Sequence, residues 1–163
     1  MPDLAPAPLS ALEMEVIDVC VRIAQFIGLP KSNGEIFGLL FASPHPLPMD
    51  VLVERLAMSK GSASQGLKQL KIYGAIKTEY IPGDRRDHYS VEMNLRKLVS
   101  GFMKERVEPG LADLAERLNR LEIRVRQLPA AQRQHLGDRV GKLKNWQSQA
   151  QRVYPALNKI LSG

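Results

Sequence analysis

The sequence has few of the residues that build disulfides, metal sites and membrane spans. Its single cysteine, Cys20, excludes an intramolecular disulfide framework, and no cysteine and histidine cluster has metal-ligand spacing. The most apolar stretch, residues 16–29, is interrupted by Asp18 and Arg22, and the N-terminus lacks the basic start and apolar core of an export signal. We therefore expect a cytoplasmic protein that has no metal and no other cofactor.

The chain also lacks visible catalytic residues. Its three histidines accompany no acid or nucleophile motif. The segment SKGSASQGLKQL, residues 59–70, superficially resembles a nucleotide-binding loop, which requires a lysine directly after the second glycine and then a hydroxyl residue. Here Leu67 follows Gly66, and Gln69 occupies the hydroxyl position. A nucleotide-dependent enzyme is therefore the most weakly supported interpretation of the chain, and we expect no enzymatic activity.

What the chain does have is a globular composition and an uneven positive charge. Hydrophobic residues make up 44% of the sequence and charged residues 25%, so wholesale disorder is excluded. The net charge of +6 divides into −3 for residues 1–30, +1 for residues 31–94 and +8 for residues 95–163. Residues 59–77 nevertheless contain four lysines and no acid. This local run favours a polyanionic partner.

Two short helices are predicted before residue 44. A capping box of Ser10 and Glu13 opens the first, and Ser32 with Glu35 opens the second, which must end before the prolines of residues 44–48. The buried stripe predicted for the first helix consists of Leu12, Val16, Val19, Cys20, Ile23 and Ile27.

A third and a fourth helix are predicted next, from Met49 and from the N-cap Ser59. In the fourth helix Ala63, Leu67 and Leu70 form the buried stripe, and Gly74 ends it. The outward positions are then small or polar residues, namely Lys60, Gly61, Ser62, Ser64, Gln65, Lys68 and Gln69. The start of the helix has free backbone amides, which suit a phosphate.

A β-hairpin and long helices follow. Apolar and polar residues alternate in residues 75–81 and again in residues 88–92, which predicts two strands. The turn sequence PGDRRD between them places Arg85 and Arg86 at the hairpin tip. Beyond residue 94, apolar residues recur at intervals of three and four, which predicts a helical hairpin broken at Pro129 that needs a partner helix. Pro109 and Pro155 are expected to kink or interrupt these helices. The seam consists of Leu111, Leu114, Leu118, Leu121, Val125 and Leu128, then Leu136, Val140, Leu143, Ala150, Leu157 and Leu161.

This order of elements is typical of a winged helix-turn-helix, a mainly α fold with a small β-hairpin wing. Three segments carry a closer resemblance: GEIFGLLFAS (34–43), LVERLAMSKGSASQGLKQLKIYGAI (52–76) and PGDRRDHY (82–89). With them, residues 30–92 resemble the MarR superfamily of transcriptional regulators, and particularly its GbsR-like branch. The resemblance implies a homodimer, with Asp84 bracing Arg86 in the wing. The segment SVEMNLRKL departs from the Leu-Thr stretch that follows many MarR wings, so ligand and operator knowledge is not transferred.

Four regions are expected from these patterns. Residues 1–9 form a flexible N-terminal arm, and residues 10–29 form an N-terminal helix that contributes to dimerisation. Residues 30–93 form the winged helix-turn-helix DNA-binding domain, and residues 94–163 form a helical dimerisation region with long C-terminal helices. The expected function is that of a sequence-specific transcriptional regulator, a repressor acting as a homodimer on a pseudo-palindromic operator of double-stranded DNA.

The expected DNA-binding residues have separate roles. Ser62, Ser64 and Gln65 contact base edges, while Lys60 and Lys68 bind phosphates. Ser59, which caps the helix, is expected to lie at a phosphate, and the wing residues Arg85 and Arg86 are expected to enter or line the minor groove. Asp84 is the expected wing brace.

Other interpretations of the chain remain open. The alternative function is a helical protein-protein interaction module in which the winged helix binds a protein partner. The resemblance also implies a small osmolyte-type effector such as a quaternary amine, for which Phe26, Phe102, Trp146 and Tyr154 are candidate cavity residues. Cys20 is either a redox trigger or, as its apolar neighbours favour, a core residue.

Overall fold

The computed structural model describes the backbone of residues 8–162 and the side chains of residues 8–160, so most of the predicted N-terminal arm and the predicted seam residue Leu161 lie outside the described residues. The chain divides into two compact units, one ending at Leu98 and the other beginning at Val99. The described elements are α1 (Ala11–Phe26), α2 (Lys31–Ala42), β1 (Leu47–Pro48), α3 (Met49–Arg55), α4 (Lys60–Ile72), β2 (Ile76–Glu79), β3 (His88–Val91), α5 (Leu95–Phe102), a π-helical segment (Met103–Val107), α6 (Glu108–Arg126) and α7 (Ala130–Ser162).

Helix α1 packs on α2 at very short range. A Cβ atom at Gly34 would lie 2.4 Å from the Cα atom of Val21, and one at Gly38 would lie 2.7 Å from the Cα atom of Ile17. These two glycines therefore let the two backbones touch. Ile17, Val21 and Ala24 are the buried residues of α1. Leu12, Val19 and Ile23 are more than half exposed, so the stripe predicted to be buried was wrong.

The predicted start of α1 is confirmed, whereas that of α2 was wrong. Ser10 accepts a hydrogen bond from the backbone of Glu13, and the Glu13 carboxylate accepts one from the backbone of Ser10. Helix α2 instead begins at Lys31 after Pro30, with no side-chain cap. The Glu35 carboxylate pairs with the Lys31 ammonium at 2.8 Å. Proline has no backbone N–H, so it leaves no donor that would need an acceptor at this end of the helix.

Helices α2, α3 and α4 surround the core of the first unit. Ile36, Leu39 and Leu52 are fully buried at its centre. Ala57, between α3 and α4, has a φ of +50°, which turns the chain sharply into the next helix. Beside them lies a three-stranded antiparallel sheet in the order β1-β3-β2, whose two-residue strand β1 the sequence did not predict. The predicted hairpin is confirmed as β2 and β3, which pair Ile76 with Val91 and Glu79 with His88.

The second unit is an antiparallel pair of long helices. Leu118 and Val125 of α6 and Val140 of α7 are buried, in agreement with the predicted seam. Other predicted seam residues are exposed, namely Leu114, Leu121, Leu136, Leu143 and Leu157. At Pro109 the regular α-helical bonding is interrupted as predicted, because the preceding turn is π-helical. This wider turn accommodates a ring that would otherwise meet a carbonyl oxygen four residues earlier. Helix α7 continues past Pro155, so no interruption occurs there.

The fold class is therefore the predicted one, mainly α with a small β-sheet. Among the residues that the structure describes, no helix is both long and apolar enough to cross a membrane.

Candidate nucleic-acid interface

Helix α4 presents a polar face to solvent because its apolar residues are used in the core. Ala63, Leu67 and Leu70 are buried, as predicted. The face opposite, which we call the outer face of α4, carries exposed side chains without bulk. It consists of Lys60, Gly61, Ser64, Gln65 and Lys68.

The start of α4 is capped from within the chain. The Ser59 hydroxyl oxygen accepts a hydrogen bond from the backbone N–H of Ser62 at 3.1 Å. Ser59 itself is exposed, whereas Ser62 is partly buried and less accessible than the rest of the predicted base-contacting set. The other early N–H groups of the helix remain available to an anion, and the positive end of the helix dipole favours negative charge there.

The prediction that Gln69 points outward from α4 was wrong. Its side-chain oxygen accepts a hydrogen bond at 2.8 Å from the amide of Asn33, which is 1% exposed. The Gln69 amide in turn donates to the Tyr73 hydroxyl oxygen at 3.1 Å. We call these three residues the buried polar chain. Because buried polar groups need partners, this chain fixes the rotation of α4 against α2.

The two glycines of α4 have different surroundings. A Cβ atom at Gly66 would lie 2.5 Å from the Cδ1 atom of Ile36, so Gly66 allows α4 to pack on α2. A Cβ atom at Gly61 would meet only the Ser59 hydroxyl, at 3.9 Å. Packing in the first unit therefore does not explain Gly61.

The loop between β2 and β3, residues 80–87, forms the wing. Gly83 has a φ of +88°, and the Asp84 N–H donates to the carbonyl oxygen of Ile81 at 3.1 Å, which closes the predicted Pro-Gly turn. At the wing base the His88 ring lies 3.0 Å from the Arg86 carbonyl oxygen and 3.4 Å from the Asp84 carboxylate. The wing is thus held to the end of β3 by side-chain contacts.

The two wing arginines differ in their contacts. Arg86 binds the Asp84 carboxylate through Nη2 at 2.6 Å and through Nε at 3.0 Å, and its Nη1 donates to Asp50 of α3 at 2.7 Å. Hydrogen bonds from Arg86 hold the pKa of Asp84 far below its usual value, and the two carboxylates raise the pKa of Arg86. Arg85 is exposed, and no hydrogen bond or ion pair joins it to another described residue.

Sequence reasoning missed two residues of this interface. Asp50 contacts the wing across 36 positions of sequence, and Asn33 orients α4 across the same separation. For Asn33, a polar residue within the apolar face of α2 was a usable signal, because buried amides require a partner. For Asp50, an acid in the first turn of a helix already has a local explanation in the helix dipole, so its contact with the wing could not be predicted from the sequence.

The predicted effector residues are divided between the two units, and the predicted redox residue Cys20 lies on α1 of the first unit. Phe26 is 91% exposed and Trp146 is 63% exposed, and they belong to different units. The Tyr154 hydroxyl contacts the Glu108 carboxylate at 3.3 Å. Cys20 is partly buried, and burial raises the pKa of its thiol, which disfavours the reactive thiolate. In the described part of the chain, no group of three or more His, Cys, Asp or Glu side chains could hold a metal ion.

Comparison with known proteins gives a consistent picture. No family model matches the chain. Over 93 residues it is 27% identical to the HTH-type transcriptional repressor GbsR of Bacillus subtilis; the match spans 57% of this chain and 51% of that protein, or about half its length. The crystal structure of a transcriptional regulator matches with a TM-score of 0.64 at 18% identity, covering 92% of this chain and 97% of that one.

A DNA-bound structure is also similar, at a lower level. A mutant of S. aureus MepR in complex with an oligodeoxyribonucleotide gives a TM-score of 0.42 at 17% identity over 81% of this chain and 89% of that one. The first solved structure supports the fold, and the curated relative supports the sequence relationship. Together they confirm the resemblance to GbsR-like winged helix-turn-helix regulators of the MarR superfamily.

Proposed function

We propose that this protein is a sequence-specific DNA-binding transcriptional repressor that acts as a homodimer on a pseudo-palindromic operator. The observation that carries the proposal is the outer face of α4, which is exposed and polar, contains two lysines, and is followed in the chain by a wing with Arg85 exposed at its tip. An exposed helix of this kind fits the major groove, and a wing reaches the adjacent backbone or minor groove.

The chemistry of the outer face supports separate roles for its residues. Ser64 and Gln65 carry hydroxyl and amide groups that hydrogen-bond to base edges, and partly buried Ser62 is a third, less accessible candidate. Lys60 and Lys68 bear exposed ammonium groups suited to phosphates, and the free N–H groups beyond Ser59 add an anion site at the helix start. In this division the lysines supply affinity, and the hydroxyl and amide side chains supply sequence selectivity.

Homodimerisation is supported by apolar surface that each unit leaves exposed. In α1, Leu12, Val19 and Ile23 face solvent, and their burial by a second copy would remove this surface from water. In α7, the exposed Leu143, Trp146, Val153, Leu157 and Ile160 recur at intervals compatible with a coiled-coil seam, and two of them, Leu143 and Leu157, belong to the seam predicted from the sequence.

A protein-binding role for the winged helix is the competing proposal. The outer face of α4, which consists of Lys60, Gly61, Ser64, Gln65 and Lys68, carries no apolar side chain, and the exposed Ile72 lies one turn beyond it at the end of the helix. Protein interfaces bury apolar and aromatic anchors at their centre, whereas DNA interfaces are polar and positively charged. The composition of the outer face therefore favours DNA. A small-molecule effector would enter as a modulator of this binding.

Footprinting of the purified protein on genomic fragments, with and without a panel of metabolites, tests the proposal. We expect protected sites with two half-sites about one helical turn, or a multiple of it, apart, and affinity that falls steeply with salt. A double change of Ser64→Ala and Gln65→Ala should weaken operator binding by about tenfold or more and reduce selectivity. Gln149→Ala, an exposed glutamine of α7, is the matched control.

Two results would contradict the proposal. One is the absence of sequence-selective protection on every fragment at low salt. The other is an operator affinity that is equal for the wild type and the double variant of α4, with the control variant behaving like the wild type. Binding of a protein partner that is lost in the double variant would instead support the competing role.

A further inference from the structure

A buried carboxylate lies where β3 ends and α5 begins. We propose that Glu92 is a positioning residue that fixes the direction in which α5 leaves the first unit, and that this direction sets the half-site spacing that the homodimer accepts. The role of Glu92 in the free protein stands by itself, whereas its effect on spacing rests on the proposed function. We call Lys77, Glu92 and Asn94 the α5 joint.

The Glu92 carboxylate connects strand β2 to the start of α5. Its Oε2 atom lies 2.8 Å from the Lys77 ammonium of β2, and its Oε1 atom accepts a hydrogen bond at 2.9 Å from the backbone N–H of Asn94. The Asn94 side chain then caps α5, because its Oδ1 atom accepts hydrogen bonds from the backbone N–H groups of Arg96 and Lys97 at 3.0 and 3.3 Å. Polar contacts thus run without interruption from the sheet to the first turn of the helix.

Apolar packing alone leaves the direction of α5 open. Within residues 93–98, all of which the structure describes, Leu98 packs on the core of the first unit, whereas Met93 and Leu95 are 67% and 71% exposed. A helix that is held by one apolar side chain can swing about that contact, so a fixed direction requires a second attachment. The α5 joint supplies this attachment one turn before Leu98.

A buried carboxylate is a costly way to add stability alone. Glu92 is 7% exposed, so its charge loses most of its water, and the Lys77 ammonium and the Asn94 N–H replace that water. Hydrogen bonds from these two residues lower the pKa of Glu92, which keeps the carboxylate charged at neutral pH. Apolar residues of similar volume often stabilise a protein as well as a buried ion pair does. A paired carboxylate adds direction, because hydrogen bonds have defined lengths and angles.

The second lysine near Glu92 contributes much less. The Lys97 ammonium lies 3.9 Å from the same Oε2 atom, and 69% of its side chain is exposed, so solvent screens the interaction. The Lys77 contact is shorter by about 1 Å, and it joins Glu92 to a different element of the fold. Lys77 therefore holds the α5 joint, and Lys97 provides a control for it.

The direction of α5 matters because this helix crosses the boundary between the two units. The first unit ends at Leu98, while α5 continues to Phe102 and is followed directly by the π-helical segment and α6. Under the proposed function, α4 of the first unit contacts DNA, and the exposed stripe of α7 in the second unit contributes to the dimer. A different direction of α5 would then change the separation of the two α4 helices. One base pair of spacing moves a half-site by about 3.4 Å along the DNA axis and by roughly 35° around it.

Amide hydrogen exchange of the free full-length protein tests the α5 joint. Glu92→Gln removes the charge and keeps the shape, and Lys77→Met removes the ammonium from the carboxylate. Each should reduce the protection of the amides of residues 94–98 several-fold. Lys97→Met removes a lysine from the same carboxylate oxygen at the longer distance, so it should leave protection within about twofold of the wild type. Because Lys77 is 54% exposed, its variant keeps the test decisive even if Glu92→Gln does not fold.

Binding to operators with altered spacing tests the functional consequence. The two half-sites are placed at the preferred spacing and at spacings one base pair shorter and longer, and a fragment with one half-site is the reference. Glu92→Gln and Lys77→Met should each reduce the preference for the native spacing several-fold and leave the affinity for one half-site unchanged, whereas Lys97→Met should keep the native preference. If Lys77 contacted a phosphate instead, its loss would weaken binding to every fragment alike and reduce the slope of log affinity against log salt by about 1.

Contrary outcomes are distinct for this inference and for the proposed function. Protection of residues 94–98 that is the same in Lys77→Met and the wild type would overturn the α5 joint. Reduced protection with an unchanged spacing preference would overturn its link to the operator, and a uniform loss of affinity with a smaller salt slope would assign Lys77 to phosphate. Failure of the wild type to bind any DNA would sink the proposed function, and the exchange data would still decide the role of Glu92 in the free protein.

Discussion

The two compact units differ in both charge and burial. The residues up to Leu98 contain as many acids as Lys and Arg, so the entire net charge of +6 belongs to the residues from Val99 onward. The first unit has a core with fully buried Ile36, Leu39 and Leu52. Among the described apolar residues of the second unit, Leu118, Val125 and Val140 are buried, and many others remain exposed.

This difference predicts which of the two units depends on association with a partner chain. A unit with a filled core has the burial needed to fold by itself, whereas a pair of helices with exposed seams gains much of its burial from a partner. The polyanion binding that we propose for the first unit does not depend on a high net charge. It comes from the placement of exposed lysines on one face of α4 while the acids pair elsewhere, as Glu13 does with Arg55.

The largest expected effect comes from Gly34→Ala in the first unit. The added Cβ would lie 2.4 Å from a backbone atom of α1, so α1 and α2 must separate, and we expect a loss of about 3 kcal/mol in the free energy of unfolding. Gly141→Ala in α7 is the matched control, because nothing lies within 4 Å of its added Cβ, and it should stabilise the helix slightly.

Urea unfolding separates the effects of these variants on the two units. The single tryptophan, Trp146, reports on the second unit, and circular dichroism reports on both. Gly34→Ala should shift the circular dichroism transition and not that of tryptophan fluorescence. Equal shifts in both signals would mean that the units unfold together and would break the comparison.

The next effect concerns association. Trp146→Glu places a charge in the exposed apolar stripe of α7, so it should weaken the proposed dimer by about 2 kcal/mol, or roughly thirtyfold in the dissociation constant. Gln149→Glu adds the same charge at an exposed polar position of the same helix and should have little effect. Sedimentation equilibrium measures both. Unchanged association in Trp146→Glu would remove α7 from the dimer interface.

A smaller effect is expected at the ion pair between α1 and α3. The Arg55 guanidinium lies 2.9 Å from Glu13, with the two side chains only 13% and 22% exposed. Hydrogen bonds from the Ser10 backbone and from Arg55 lower the pKa of Glu13 below its ordinary value of 4.5. Its contribution is therefore present above that value and is lost as the pH falls through the folded-state pKa.

Replacement of Glu13 tests this contribution directly. Glu13→Gln should cost about 1 kcal/mol of stability at pH 7 and should flatten the decline in stability between pH 5 and pH 3, as measured by urea unfolding at each pH. Arg117→Ala, which removes an exposed pair with Asp113 on α6, should cost less stability than Glu13→Gln, because solvent screens an exposed ion pair. A pH dependence that is identical in the wild type and Glu13→Gln would contradict the assigned role of Glu13.

Local signals were sufficient to predict most elements of the first unit. Ser10 and Ser59 form the caps expected of them, Gly74 follows α4 with a positive φ, and the hairpin lies on either side of the predicted turn. These features depend on residues within a few positions of each other. The buried face of α4 was equally predictable, because Ala63, Leu67 and Leu70 are its only consistently apolar side.

The face of α1 that is buried could not be predicted in the same way. Apolar residues surround much of this helix, and the more apolar side, with Leu12 and Ile23, faces away from α2. The buried side is chosen by Gly34 and Gly38 of another helix, which admit Ile17 and Val21 at close range. Hydrophobic spacing alone does not distinguish a surface for the chain's own core from a surface for a second chain. The Asp50 contact was missed for the same reason, since it joins positions that are far apart in sequence.

The buried polar chain of Asn33, Gln69 and Tyr73 has a consequence for how such a protein changes its target. The inner side of the helix is held by hydrogen bonds, so substitutions among Ser64, Gln65 and Lys68 should hardly disturb folding. Under the proposed function, single mutations at these positions would change the preferred operator. A change at Asn33, by contrast, would rotate the entire outer face of α4 and alter all base preferences together.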